Sequence, residues 1–269
     1  MSQDLEFALE AARNAEPCIL PRYQNCEVSL KPDGSEVTVA DREAEELIRR
    51  LISERFPEDG ILGEEHGEKP GTNNRLWVID PVDGTASFTL GLPLFGTLIA
   101  LLVDRRPTVG VIHFPALAET VYAERGEGCW LRKGGGDPAR VRVDPCTCVS
   151  EAVVTACGPH SSDIQSAPGE TPYNLSGVIN QARKFRFGGD CALHALVAKG
   201  RAHAAIDTIM SPWDIAALVP CVEEAGGVAT PLTGGTTDVV FGGSLVTSSH
   251  ADLHAELLEI LNRGAGGAT

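Results

Sequence analysis

The sequence predicts a mixed fold, an α+β half over residues 1–147 followed by an α/β half over residues 148–269, joined near Pro145 to Ser150. Three observations predict it. The first half reads as two helices and then a series of short strands divided by turns. From about Val153 strands and helices alternate. Apolar residues make up 43% of the 269, enough for a sizeable core.

The elements follow in order. Leu5, Ala8, Ala12, Ala15 and Ile19 fall at helical spacing, with Pro17 and Pro21 leaving the helix end open. A second helix runs from about Asp41 to Phe56 on a stripe of Ala44, Leu47, Ile48, Leu51, Ile52 and Phe56, and Pro57 stops it. Strands are expected at Ile61 to Gly63 and Trp77 to Ile79. A meander is expected over Leu94 to Val103, Thr108 to His113, Thr120 to Ala123 and Cys129 to Leu131, with DRRP and ERGEG as turns. KGGGDPAR, Lys133 to Arg140, reads as a turn or loop. Further on, Val153 to Ala156, Lys184 to Phe187, Ala204 to Ile206 and Leu245 to Ser248 read as strands. Cys191 to Ala198, Asp214 to Ala225 and Ala251 to Leu261 read as helices, the first closed by Gly200 and the second by Gly226-Gly227.

Charge and composition exclude several functions. A net charge of −15 argues against nucleic acid or an anionic membrane as partner, because both need basic patches. It leaves room for an anionic substrate, since bound divalent cations invert the local field. The longest apolar run, Leu94 to Val103, is too short to span a bilayer. The acidic N-terminus lacks a secretory pattern, so a cytoplasmic protein is expected. The eight cysteines form no C-x-x-C pair, and most read as small buried hydrophobes or idle surface thiols, with a reactive Cys146 and Cys148 (CTC) as the alternative.

The informative stretch is LWVIDPVDGTASF, Leu76 to Phe88. A strand-like apolar run ends in two aspartates, Asp80 and Asp83, with Gly84 and Thr85 directly behind. Other carboxylates hold similar places. Glu64 and Glu65 follow the strand of ILGEEHG, Asp41 opens the helix of VTVADREAEELI, and Asp214 opens that of SPWDIAAL. Singly, each has a structural explanation. Asp41 and Asp214 are what a helix start favours, Asp80-Pro81 is an ordinary strand end, and Glu65, His66 and Glu68 read as solvated loop residues. Together they suit a hard cation, which takes several carboxylate oxygens. Asp80 and Asp83 on a tight turn around Pro81 can face one point, and the backbone N–H groups of Gly84 and Thr85 could hold phosphate oxygens. Metal beside an N–H cradle is equipment for transferring phosphoryl groups to water.

WVIDPVDGTASF, with GEE upstream and SPWDIAAL then EEAGG downstream, resembles the inositol monophosphatase-like superfamily of Mg²⁺-dependent phosphatases. The three motifs occur in order over most of the chain. The resemblance implies a five-layered αβαβα sandwich holding two or three Mg²⁺ ions, with Mn²⁺ as a possible substitute. Glu64, Asp80 and the Val82 carbonyl would hold one ion, and Asp80, Asp83 and Asp214 another. A third, looser ion would sit near Glu64. Gly84 and Thr85 would contact the phosphate, and Asp41 with the Thr85 hydroxyl would position and activate the attacking water. Lys31 to Asp33 matches a mobile loop that closes on the metals. A homodimer is implied.

RFGGDCALHALVAKG, Arg186 to Gly200, and DPVDGTASFTLGLPLFGTLIAL resemble the histidinol-phosphate phosphatase branch. That implies a role in histidine biosynthesis, with Asp190 on the cationic end of L-histidinol phosphate. Asp207, seven residues before Asp214, stands where relatives carry an acidic residue facing the substrate. Asp190 reads equally as a helix cap, and His194 as a core or surface histidine. Ala86 stands where relatives usually have a polar or basic residue, and Asp207 is one methylene shorter than the usual Glu. Inositol 1-phosphate or another small phosphorylated metabolite is the alternative substrate, and a catalytically inactive regulator the remote one. An aspartyl-phosphate mechanism needs D-x-D at a strand end. Here Pro81 and Val82 separate the aspartates, so direct attack by water is expected.

Overall fold

The computed structural model describes residues 1–32, 34–167 and 172–263. It opens with α1 (Gln3–Ile19), a hairpin of β1 (Val28–Leu30) and β2 (Glu36–Thr38), and α2 (Val39–Arg55). Next come β3 (Gly60–Gly63), β4 (Gly67–Lys69), β5 (Arg75–Asp83) and the short α3 (Thr85–Thr89). The meander is β6 (Gly96–Val103), β7 (Arg106–Phe114), β8 (Glu119–Glu124), β9 (Gly128–Lys133) and β10 (Ala139–Val141). Then follow β11 (Val153–Ala156), α4 (Leu175–Gln181), β12 (Lys184–Phe187), α5 (Asp190–Ala198) and β13 (Ala204–Asp207). The rest is α6 (Pro212–Ile215), α7 (Leu218–Glu224), β14 (Val228–Thr230), β15 (Leu245–Ser248) and α8 (Ala251–Asn262).

Apolar alternation decides how these elements stack. In β5, Trp77 and Ile79 face α1 and α2, while Val78 faces the opposite side. In β6, Ile99 and Leu101 join the first group, and Leu98, Ala100 and Leu102 the second. The large sheet runs β10-β9-β8-β7-β6-β5-β3-β4, antiparallel except where β3 lies parallel to β5. The small sheet runs β12-β11-β13-β15-β14 and has β11 parallel to both neighbours. Helices α1 and α2 cover one face of the large sheet. Helices α5, α6 and α7 lie between the sheets, and α4 and α8 cover the far face of the small sheet. This is a five-layered αβαβα sandwich. Among the described residues no helix is long and apolar enough to cross a membrane.

Several elements differ from expectation, each for a local reason. β5 does not stop at Ile79 but runs on to Asp83, and its pairing with β6 shifts register between Asp80 and Asp83. A bulge tolerates Pro81, which has no N–H to give the ladder. The Thr97 hydroxyl instead donates to the Pro81 carbonyl at 2.9 Å. The helix expected over Asp214 to Ala225 is two helices, divided at Ala216-Ala217. The Pro220 ring would clash with the carbonyl four residues back, which is that of Ala216. Pro17 is absorbed into the last turn of α1. Part of KGGGDPAR pairs with β9 as the edge strand β10.

His194 is buried in the core. It reaches from α5 to the small sheet, with Nδ1 2.8 Å from the Thr247 hydroxyl, and its Nε2 has no hydrogen-bond partner among the described residues. His254 reaches the same sheet from α8, with its two ring nitrogens each 2.8 Å from the hydroxyls of Thr230 and Ser248. Thr247 and Ser248 are consecutive on β15, so they face opposite sides. Burial lowers the pKa of His194 to about 3 and that of His254 to about 4.

Both histidines regain an ordinary value near 6.5 on unfolding, so the unfolded chain binds more protons between the two limits. The share of stability that these two histidines govern is complete above about pH 6.5 and is lost as pH drops towards 4, by on the order of 2–4 kcal/mol per histidine, while buried carboxylates with raised pKa values act in the opposite sense. In urea midpoints measured between pH 7 and 4.5, the slope against pH of His194→Gln should differ from that of the parent by the loss assigned to His194. An unchanged slope in that variant would assign the acid lability to other groups.

Candidate active site

The parallel pairing of β3 and β5 sets the first two carboxylates side by side. Gly63 is in register with Ile79, so the next residues, Glu64 and Asp80, are neighbours at the strand ends. The bulge turns Asp83 towards the same point. Asp214 arrives from the other sheet's side on α6, which packs against β5. One oxygen from each of Asp80, Asp83 and Asp214 lies within 4.8 Å of the others. These three and Glu64 line a cleft of about 740 Å³ with Val82, Gly84, Thr85, Asp190 and Asp207.

Helix-start chemistry fixes two of the acids, though neither is the cap residue itself. Asp41 is the third residue of α2 and completes a capping box with Thr38, whose N–H donates to Asp41 Oδ2 at 2.9 Å. Asp214 is the third residue of α6 and makes the same box with Ser211, whose N–H donates to Asp214 Oδ2 at 2.7 Å. The other Asp41 oxygen, Oδ1, accepts from the Thr85 hydroxyl at 3.2 Å. That hydroxyl also lies 3.2 Å from the Val82 carbonyl.

Asp190 does not cap α5. Asp83 does so instead, because its Oδ2 accepts the Cys191 N–H at 2.7 Å. Asp190 has a left-handed backbone (φ 53°), with its carboxylate between the Ser87 hydroxyl at 3.4 Å and the Cys157 thiol at 3.5 Å. Gly84 is left-handed too (φ 83°), and a Cβ built there would stand 2.6 Å from Asp190 Oδ2. Only glycine fits both the backbone and the space.

Electrostatically the cleft is strained. Burial raises the pKa of Asp80 well above the usual range, and Glu64, Asp83 and Asp214 add to it. Burial does the same to Asp83, helped by Asp190 and Asp214, and raises Asp214 and Asp41 as well. Asp207 is pushed up to about 7, chiefly by burial. Glu64 also reaches about 7 through burial, against the pull of Lys31.

No cationic side chain stands among Asp80, Asp83 and Asp214 in the described residues. Three carboxylates within 4.8 Å of one another, two of them buried and that of Asp214 half-buried, are costly unless a cation neutralises them, and an all-oxygen donor set suits Mg²⁺. The residues present therefore fit a divalent metal.

Glu64 stands slightly apart. Its Oε1 pairs with Lys31 Nζ at 2.7 Å, and Lys31 also reaches Glu65 at 2.7 Å. Asp33, the end of the expected loop segment, lies outside the described residues. Glu65 is not a solvated loop residue. Its side chain is buried against Lys31, and its N–H donates to Glu45 at 2.7 Å. His66 and Glu68 are exposed as expected, but Glu68 lies in β4, paired with Leu62, and not in a loop.

Three contributors have no motif. Glu45 is wholly buried and holds the Glu65–His66 backbone. Its signal was its place on the buried face of α2 with Asp41, Ile48 and Ile52, where a charge is out of pattern. Ser87 and Cys157 carried no signal, since the role of each comes from contact with Asp190.

A model of the inositol monophosphatase family matches residues 1–264. The chain is similar to a histidinol-phosphatase of Chlorobaculum parvum, at 43% identity over 93% of this chain and 94% of that one. It is similar to a histidinol-phosphatase of Mycobacterium tuberculosis, at 36% identity over 97% and 98% of the two chains. The crystal structure of extragenic suppressor protein SuhB from Bartonella henselae superposes with a TM-score of 0.84, at 30% identity, covering 98% of this chain and all of that one.

Proposed function

The chain belongs to the inositol monophosphatase family of metal-dependent phosphatases, and on that premise we propose that it hydrolyses L-histidinol phosphate. One observation carries the substrate. Asp190 and Asp207 share the cleft with the Asp80–Asp83–Asp214 cluster, and neither is ion-paired to a cationic side chain among the described residues. Histidinol phosphate carries an ammonium group and an imidazole, whereas inositol phosphate offers only neutral hydroxyls. A charge-assisted hydrogen bond is roughly twice as strong as a neutral one, so a cationic tail fits these aspartates.

In this reading Asp80, Asp83 and Asp214 would hold one Mg²⁺, Glu64, Asp80 and the Val82 carbonyl a second, and a looser third would lie near Glu64. Bound there, Mg²⁺ supplies Lewis-acid stabilisation of the charge that develops on the phosphoryl oxygens. Gly84 and Thr85 contact the phosphate group. The Thr85 hydroxyl, donating to Asp41 Oδ1, keeps a lone pair that takes a proton from the attacking water as the hydroxyl's own proton passes to Asp41 Oδ1. The Thr38 contacts hold the Asp41 carboxylate in place through its other oxygen. Water attacks phosphorus directly as the P–O bond to histidinol breaks, the alcohol oxygen leaves with the electron pair and takes a proton from solvent water, and no aspartyl-phosphate forms.

A panel of kcat/KM values in Mg²⁺ tests the substrate. L-histidinol phosphate should exceed inositol 1-phosphate and fructose 1,6-bisphosphate. Asp190→Asn should lower kcat/KM for histidinol phosphate by about 1.5–3 kcal/mol, the range for a hydrogen bond to a charged group, and leave phenyl phosphate nearly untouched. If inositol 1-phosphate leads the panel, or if the variant loses all substrates equally, Asp190 is a structural residue.

A further inference from the structure

We propose that Cys157 is a positioning residue for substrate choice, a thiol held between Asp190 and Asp207 that fixes the direction of the Asp190 carboxylate. The proposal rests on the reading that Asp190 meets the cationic end of the substrate.

Topology puts the three side chains together. Strands β12, β11 and β13 run parallel and adjacent, with Ala156 in register with both Phe187 and Ile206. Their carboxyl ends therefore lie level. Asp190 follows β12 after the Gly188-Gly189 turn, Cys157 follows β11, and Asp207 ends β13. Backbone bonds lock this rim. The Cys157 N–H donates to the Ile206 carbonyl at 3.3 Å, and the Gly188 N–H to the Ala156 carbonyl at 3.1 Å. Ligands of parallel sheets collect at such carboxyl ends. Cys157, Asp190 and Asp207 all line the cleft.

The contacts of Asp190 are few and neutral. Oδ2 faces the Ser87 hydroxyl at 3.4 Å and Oδ1 faces the Cys157 thiol at 3.5 Å. The left-handed backbone at Asp190 is uncommon for a residue with a side chain, and it turns the carboxylate away from the helix end that Asp83 caps. A carboxylate so placed needs donors to hold its plane. An ammonium or guanidinium in that role would compete with a cationic substrate, and a hydroxyl and a thiol do not. The thiol keeps its proton, because burial and then the charges of Asp207 and Asp190 raise its pKa. Cys157 is thus a donor here and not a nucleophile, and no covalent step is assigned to it.

A double-mutant cycle tests this on the full chain in saturating Mg²⁺. Cys157→Ala should raise KM for histidinol phosphate about fivefold with little change in kcat, the size of a modest neutral hydrogen bond. Phenyl phosphate should be hydrolysed as by the parent. Cys157→Ser, which keeps a donor and is a second route to a folded variant, should recover most of the loss. In the Asp190→Asn background, Cys157→Ala should have no further effect. Equal losses on both substrates, or the same loss with and without Asp190, would overturn the role of Cys157 alone. If Asp190→Asn itself leaves the two substrates in their parental ratio, the role of Asp190 fails and that of Cys157 fails with it.

Discussion

Asp83→Asn should lower kcat at saturating Mg²⁺ by about three orders of magnitude or more, and Asp214→Asn should do the same. The substitutions remove one charge each and almost nothing else. Asn still offers an oxygen to the Cys191 N–H, which Asp83 accepts at 2.7 Å, and to the Ser211 N–H in the capping box of α6. The fold therefore survives, and circular dichroism should match the parent. Chemistry should not survive, because a divalent cation held as proposed would lose an anionic oxygen at the point where transition-state charge is stabilised. A deficit of about 4 kcal/mol corresponds to roughly a thousandfold in rate. Phosphate release measured against Mg²⁺ concentration checks it. Full turnover in either variant, or undiminished turnover in a chelator, would rule out a metal held by these carboxylates.

Thr85→Ala should lower kcat about 100-fold while KM moves little, the lower end of what general base catalysis supplies. The hydroxyl is shared between Asp41 Oδ1 and the Val82 carbonyl, both at 3.2 Å, so its place is set by two rigid elements. Orienting a water matters most in the transition state, so the loss falls on turnover. Asp41 meanwhile stays tied to Thr38, so α2 keeps its start. Steady-state kinetics on histidinol phosphate decide it. A raised KM with kcat unchanged would make Thr85 a binding residue alone.

Much of this architecture was legible because it rests on periodicity and turn chemistry. The meander from β6 to β9 came out with its turns, since each strand is apolar and bounded by charged or glycine-rich breaks. Val153–Ala156 and Lys184–Phe187 were placed to the residue. The short edge strands were not. β4 carries only Gly, Glu and Lys, so it has no apolar face to announce it, and β1, with Val28 and Leu30 on one face, is only three residues long and exposed throughout. β10 and β14 are three residues each and exist through pairing with β9 and β15. Helix α4, seven residues long, owes its start to Asn174, whose side chain accepts from the Gly177 N–H at 2.9 Å. The split between α6 and α7 is legible in Pro220, whose ring reaches back to the Ala216 carbonyl.

The carboxylates of the site were legible as residue types at element ends, and the cleft lies where those ends converge. Their partners were not. That Glu64 adjoins Asp80 depends on the parallel pairing of β3 and β5, which no local pattern encodes. That Asp83 rather than Asp190 caps α5 depends on two residues far apart in the chain. Ser87, Cys157 and Glu45 act only through contact.

The Asp80–Asp83–Asp214 cluster also says something about how this chain was shaped. A sequence selected only for folding would have chosen an amide or an apolar residue at each of these places, because the native basin there contains a conflict between like charges. The conflict sits where the large sheet meets α6, so its strain is carried across the seam between the two layers. The chain has kept a locally frustrated seam, and a cation bound there would turn that seam into a rivet. Searches for sturdier versions of this protein without metal would drift towards the substitutions that silence it, since stability and activity are opposed at these three positions.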